Sequence, residues 1–200
     1  RFSVDPLLLE ETWSRVPTLS IVGGGYDRSA REEGDDTILE SSRGNVLRLG
    51  GAARLRSLVL GRSIGRIEAA GDATVLERVT ASSARYGFVV EQTAGTLVVR
   101  DSRLSRVVSH RSDPTRGGAD RADAAVLIEG STVDTIDVRN RNVLIRGGYV
   151  GALTAESGVL TADGTLFESL DLEATDAELT SVEVRRTVDG IDALIGVVGG

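Results

Sequence analysis

The sequence predicts an all-β fold: a right-handed, single-stranded parallel β-helix of about 17 residues per coil in its C-terminal half, with a short N-terminal capping helix. Three observations carry that reading. Apolar-x-apolar pairs return at one constant step, as Val126/Ile128, Val143/Ile145, Leu160/Ala162 and Ala177/Leu179. Two further series keep the same step. One runs Ser131/Val133, Gly148/Val150, Thr165/Phe167 and Val182/Val184; the other runs Ile136/Val138, Leu153/Ala155, Leu170/Leu172 and Thr187/Asp189, where it fades. Between the pairs lie Gly130, Asn140, Gly147, Ser157, Gly158, Gly164 and Asp176, residue types that accept tight turns.

The physical reason is the period of two along a strand, which puts the two apolar members of each triplet on one face and the middle residue on the other. Three pairs per repeat mean three short strands and three faces. Units this short cannot bury their own apolar side chains, but stacking them builds a continuous column with parallel pairing between turns. Hexapeptide left-handed coils keep an even rhythm, so the uneven spacing of the pairs favours a right-handed coil.

In chain order, residues 1–16 form the capping helix. Asp5-Pro6 supplies an N-cap followed by proline at the first helical position, and Glu10 and Glu11 sit near the positive end of the helix dipole. Leu7, Leu8, Leu9, Trp13 and Val16 give it an apolar side that can lie over an open end of the column. From residue 17 to 200 the chain is solenoid. Its N-terminal half has the same texture in a looser rhythm, at Val46–Leu49, Leu58–Leu60, Val75-Leu76, Phe88–Val90 and Leu97–Val99. The one interruption is 109–123, SHRSDPTRGGADRAD, a polar loop inserted at a corner. Insertions of this kind often line a binding face in repeat proteins.

Composition narrows the classes of function. With 40% hydrophobic residues among 200, the chain can bury a core, and no apolar run reaches the roughly 20 residues that span a bilayer. No membrane insertion of this segment is expected. Cysteine is absent, which excludes disulfides and thiolate metal sites. All 23 basic residues are arginine, and residues 150–200 hold 2 of them against 10 acids, so nucleic-acid phosphates are repelled and no nucleic-acid partner is expected. Methionine is also absent, which fits a mature product or an excised segment from which a signal peptide has been removed.

Residues 19–61 contain Gly24-Gly25-Tyr26-Asp27, Arg31, Asp36-Thr37-Ile38-Leu39-Glu40 and Gly44-Asn45-Val46-Leu47. This stretch resembles the opening coils of secreted bacterial β-helix proteins of the pectin-lyase-like and polymorphic-outer-membrane-protein type, and Gly95–Ser102 continues in the same idiom. The resemblance implies an exported bacterial β-helix, extracellular or on the cell surface. The rhythm around Val143–Val150 is similar to bactofilins, which assemble end to end into filaments and would place the protein in the cytoplasm. The five-residue step through Phe167, Leu172, Ala177 and Val182 resembles pentapeptide-repeat proteins that imitate DNA, although the fourth face of that fold is missing.

Candidate chemistry is sparse. His110 is the single histidine and reads as a solvated residue. Asp113, Asp120 and Asp123 lack the spacing of a calcium loop, and Gly23-Gly24-Gly25 opens no helix and so fails as a phosphate loop. No catalytic residue, metal site or cofactor is assigned. Asp171, Glu178 and Glu183, as middle residues, point outward, as do Thr132, Thr154 and Thr161. Leu127 and Leu144 stack one turn apart on one outer face, and Tyr149 and Leu166 do so on the next. Four large apolar side chains pointing outward mark a contact surface, to be covered by the inserted loop 109–123 folding back, by another copy of the protein or by a different partner. Leu127, Leu144, Tyr149 and Leu166 are therefore the candidate interaction patch of a non-enzymatic, adhesin-type scaffold that contacts a protein, a glycan or another copy of itself. The alternatives are a self-assembling, bactofilin-like element and a pectin-lyase-like carbohydrate-active enzyme.

Overall fold

The computed structural model describes residues 2–4, 18–22, 38–41, 46–81, 87–111, 125–191 and 194–198, and within them the chain is a parallel β-solenoid with no helix. The first strands are β1 (Phe2–Val4), β2 (Thr18–Val22), β3 (Ile38–Ser41), β4 (Val46–Leu49), β5 (Ala52–Leu60) and β6 (Arg66–Ala69). Next come β7 (Ala73–Ala81), β8 (Val89–Gln92), β9 (Thr96–Arg100), β10 (Arg103–His110), β11 (Ala125–Glu129) and β12 (Thr132–Arg139). The series ends with β13 (Asn142–Arg146), β14 (Tyr149–Glu156), β15 (Val159–Asp163), β16 (Leu166–Glu173), β17 (Asp176–Thr180), β18 (Glu183–Ile191) and β19 (Leu194–Val198). Every pairing between them is parallel and links one coil to the next. The expected capping helix falls on a range that begins with strand β1; residues 5–17 lie outside the described residues, as does the Gly24–Asp36 part of the opening motif.

Three faces run the length of the column. The first consists of the opening arm of β5 and β7, then β9, β11, β13, β15, β17 and β19; its inward pairs include Leu97/Val99, Val126/Ile128 and Leu160/Ala162, all buried. From β10 on, the second and third faces are the two arms of the longer strands; before it, the second face is the closing arm of β5 and β7 and the third is β4, β6 and β8. Val133, Val150 and Phe167 stack on the second, and Ile136, Leu153 and Leu170 stack on the third. From β11 to β17 the register advances by the same step as the sequence pairs, for instance Val126 on Val143 and Leu144 on Thr161. Each inward Leu, Ile, Val or Phe removed from water contributes about 1.5–3 kcal/mol, so the column is held by apolar burial along its whole length.

The third series fades at Thr187/Asp189 for a local reason. One extra residue bulges β18 opposite Phe167–Ser169, so Leu170 registers with Val188 and Leu172 with Gly190. The coil is longer by that one position, and Asp189 is exposed. In the N-terminal half the coils are longer still: Ala53 registers with Thr74, and Thr74 with Leu97. The surplus lies between the second and third faces, where Ile64 and Phe88 fill the interior.

Corners use the left-handed backbone. Gly130, Gly147, Gly164 and Ser181 carry positive φ at the corner after the first face, and Asn140, Ser157 and Ala174 do so after the third. Both sets recur once per coil. The amides of Gly130, Gly147, Gly164, Asn140 and Ser157 reach the next coil: the Gly130 N–H donates to the Arg146 carbonyl at 2.9 Å and the Ser157 N–H to the Glu173 carbonyl at 2.9 Å. A side chain just past such a corner turns inward and must be small or self-satisfied. Ser131 Oγ donates to the Glu129 carbonyl and accepts the Ser102 N–H at 3.1 Å, while Thr175 Oγ1 donates to the Ala155 carbonyl at 3.0 Å.

Candidate functional site

The outward residues of the first face form three columns, because a strand of five puts its first, third and fifth side chains on the same side. The central column reads Arg54, Val75, Val98, Leu127, Leu144, Thr161 and Glu178. Leu127 and Leu144 stand one above the other, each half-buried, and the inward residues beside them are buried. On the adjoining face Tyr149 sits over Leu166 in the same way, flanked by Thr132 and Glu183. The structure thus places the four residues as two stacked pairs, one on each of two neighbouring faces.

Two members of the strip escaped the sequence reading. Val75 and Val98 extend the Leu127/Leu144 column by two rungs, so four apolar side chains follow one another without interruption. The coils that join them are longer than those that follow and unequal to each other, and a fixed period cannot align them.

The column beside it is charged and alternates in sign: Arg56, Glu77, Arg100, Glu129, Arg146 and Asp163, one per coil. Neighbours pair along it, Arg56 with Glu77 at 3.2 Å, Arg100 with Glu129 at 2.5 Å and Arg146 with Glu129 at 3.6 Å. Arg54 also donates to Glu77, and this hydrogen bond, with the charges of Arg56, Arg54 and Arg78 around it, holds the Glu77 carboxyl below its ordinary value despite partial desolvation. On the opposite side of the apolar column stand small or uncharged residues, among them Ala52, Ala73, Thr96 and Asn142.

The inserted segment leaves the column at the corner after the third face. Ser109 and His110 are still strand, the last two residues of β10, paired with Val138 and Arg139; residues 112–124 lie outside the described residues, with Asp113, Asp120 and Asp123 among them. The coil from Leu97 to Val126 is longer than the coils on either side of it on this account. Beneath its corner is a buried polar group. Ser109 Oγ donates to Gln92 Oε1 at 2.8 Å, and Gln92 Nε2 donates to the Gly95 carbonyl. Arg141, only 6% exposed, reaches back past this coil and donates to the carbonyls of Gly95 and Thr93 at 3.4 and 3.3 Å. Burial, and then the nearby Arg111 charge, push its guanidinium below the ordinary arginine value.

His110 is exposed on the third face and meets Asp137 at 2.9 Å; Arg106 and Arg139 reach the same carboxylate at 3.3 and 3.8 Å. This is a surface cluster in which one carboxylate is shared by two arginines and a histidine ring. Among the described residues, no three histidine, aspartate or glutamate side chains come together as a metal-holding group, and no helix is long and apolar enough to cross a membrane. No protein-family model matches this chain, and neither a curated protein nor a solved structure matches it.

Proposed function

We propose that this protein is a rigid, non-enzymatic surface scaffold of the adhesin type, a right-handed β-helix exported to the cell surface that contacts a protein or glycan through the flank of its column. One observation supports it above the others: the unbroken outward apolar strip of Val75, Val98, Leu127 and Leu144, with Tyr149 and Leu166 on the adjoining face. Soluble repeat proteins ordinarily solvate such positions, and apolar residues stacked on them favour contact. The location rests on the resemblance of residues 19–61 to secreted β-helix proteins.

The test uses the intact chain in two assays: light scattering across concentration, and binding to an array of immobilised acidic and neutral polysaccharides. Leu144→Asp and Tyr149→Asp should abolish whichever association the parent shows, with circular dichroism unchanged. Association that survives both substitutions overturns the patch. Calcium-dependent turnover of an acidic polysaccharide would replace the scaffold reading with a pectin-lyase-like enzyme, and end-to-end polymers would replace it with a bactofilin-like element.

A further inference from the structure

The geometry points to a second copy of this chain as the occupant of the first face, in a two-fold dimer with the two columns antiparallel. This rests on the reading of that face as a contact surface and names its partner. The argument is one of self-complementarity. A closed dimer presents the same patch twice, so where one residue meets a second on the other copy, the second meets the first in return. Place the two-fold axis along the strand direction, between the rungs of Val98 and Leu127. It then reverses the order of the coils while keeping each outward column facing its own copy.

The apolar column is centred on that axis. Val98 meets the second copy's Leu127 and Val75 meets its Leu144, while Arg54 and Thr161 close the ends. The charged column obeys the same axis. Its residues alternate in sign, and read backwards against themselves they pair only opposite charges: Arg100 with Glu129, Glu77 with Arg146, and Arg56 with Asp163. A slip by one coil turns all of these into like-charge contacts, which fixes the register. The third column carries small or uncharged residues at Ala73, Thr96 and Asn142, so nothing bulky or charged holds the faces apart.

Neither column alone requires this symmetry; it is their shared centre that selects a second copy over an unrelated protein. Six rungs about 4.8 Å apart, each as wide as a short strand, make a face of roughly 450 Å² a side, below the roughly 600 Å² a side of stable interfaces and in the range of weak, transient ones. The dimer is therefore reversible and concentration-dependent.

The experiment is light scattering on the full chain, together with reciprocal charge reversal. Wild type should move between 21.1 kDa and twice that mass as concentration rises. Arg100→Glu alone and Glu129→Arg alone should each stay monomeric, because each makes two like-charge contacts across the axis. Mixing the two in equal amounts should restore a heterodimer, since both contacts then join opposite signs. A second pair, Glu77→Arg with Arg146→Glu, should behave identically and guards against one substitution disturbing the fold. Failure of both mixtures to dimerise, with every variant folded, overturns the proposed register. A wild type monomeric at every concentration overturns the dimer while leaving a foreign partner, and so the scaffold reading, standing. A dimer indifferent to the reversals overturns the face assignment.

Discussion

Arg141 donates to the Thr93 carbonyl at 3.3 Å, joining corners two coils apart across the point where the inserted segment leaves the column. A side chain from the following coil thus bonds carbonyls of the corner two coils before it. Hydrogen bonds from a charged donor contribute about 1.5–3 kcal/mol each, which offsets the expense of desolvating a guanidinium.

Arg141→Ala is expected to destabilise the protein by about 3 kcal/mol, because it removes two donors and leaves a void. Arg141→Lys should recover only part of this, since an ammonium does not offer the guanidinium's fork to two carbonyls at once. Urea denaturation of the three proteins, compared at equal slope, measures both.

Adjacent glycines should respond very differently to the same change. A Cβ on Gly148 would lie 2.2 Å from the Ser131 carbonyl oxygen at a φ of +85°, whereas one on Gly147 meets nothing within 4 Å at +64°. Gly147→Ala should cost about 1 kcal/mol, the usual expense of the left-handed region. Gly148→Ala should cost about 3 kcal/mol or more, because backbone must move. Thermal melts of the pair separate strain from steric overlap.

Ser131→Ala is expected to cost about 1–2 kcal/mol, since the buried Ser102 amide loses its acceptor. The loss should also appear as faster hydrogen exchange at the Ser102 amide. Equal exchange in both proteins would remove Ser131 from the corner's support.

Glu77 makes stability depend on pH. Its folded carboxyl titrates below the ordinary value of 4.5, chiefly through the Arg54 hydrogen bond. A depressed folded value means that the unfolded chain binds the proton first as pH falls. The stabilisation is therefore complete above about pH 5 and disappears as pH drops through the folded value. The stability difference between wild type and Glu77→Gln should be constant from about pH 5.5 to 7 and shrink steadily toward about pH 3. A difference that grows on acidification would contradict the arrangement.

Legibility in the sequence followed the regularity of the coil. From Val126 to Leu179 the step along the first face never changes, so sequence position alone states which side chain lies on which. Leu127 over Leu144 and Tyr149 over Leu166 are readable for that reason, and the outward direction of Asp171 and Glu178 with them. At Thr187/Asp189 a single bulged residue shifts the register, so that Leu170 pairs with Val188 and Leu172 with Gly190, and a fixed period has no means of anticipating one inserted residue.

Architecture and inward composition are thus written along the chain: period two within strands, a constant step between the later coils, and turn-forming residues at the corners. Stacking needs nothing more than these, since each coil meets only its neighbours. The outer columns of the earlier coils are a product of the folded molecule, in which Val75 joins Val98 and Leu127, and Arg56 begins an alternating ladder ending at Asp163. So is the burial of Arg141, which reaches the carbonyls of Gly95 and Thr93 two coils back. One cause underlies both. Pairing between parallel strands fixes which residues meet, whatever length of chain is spent between them, and that length hides the meeting from any reading along the sequence.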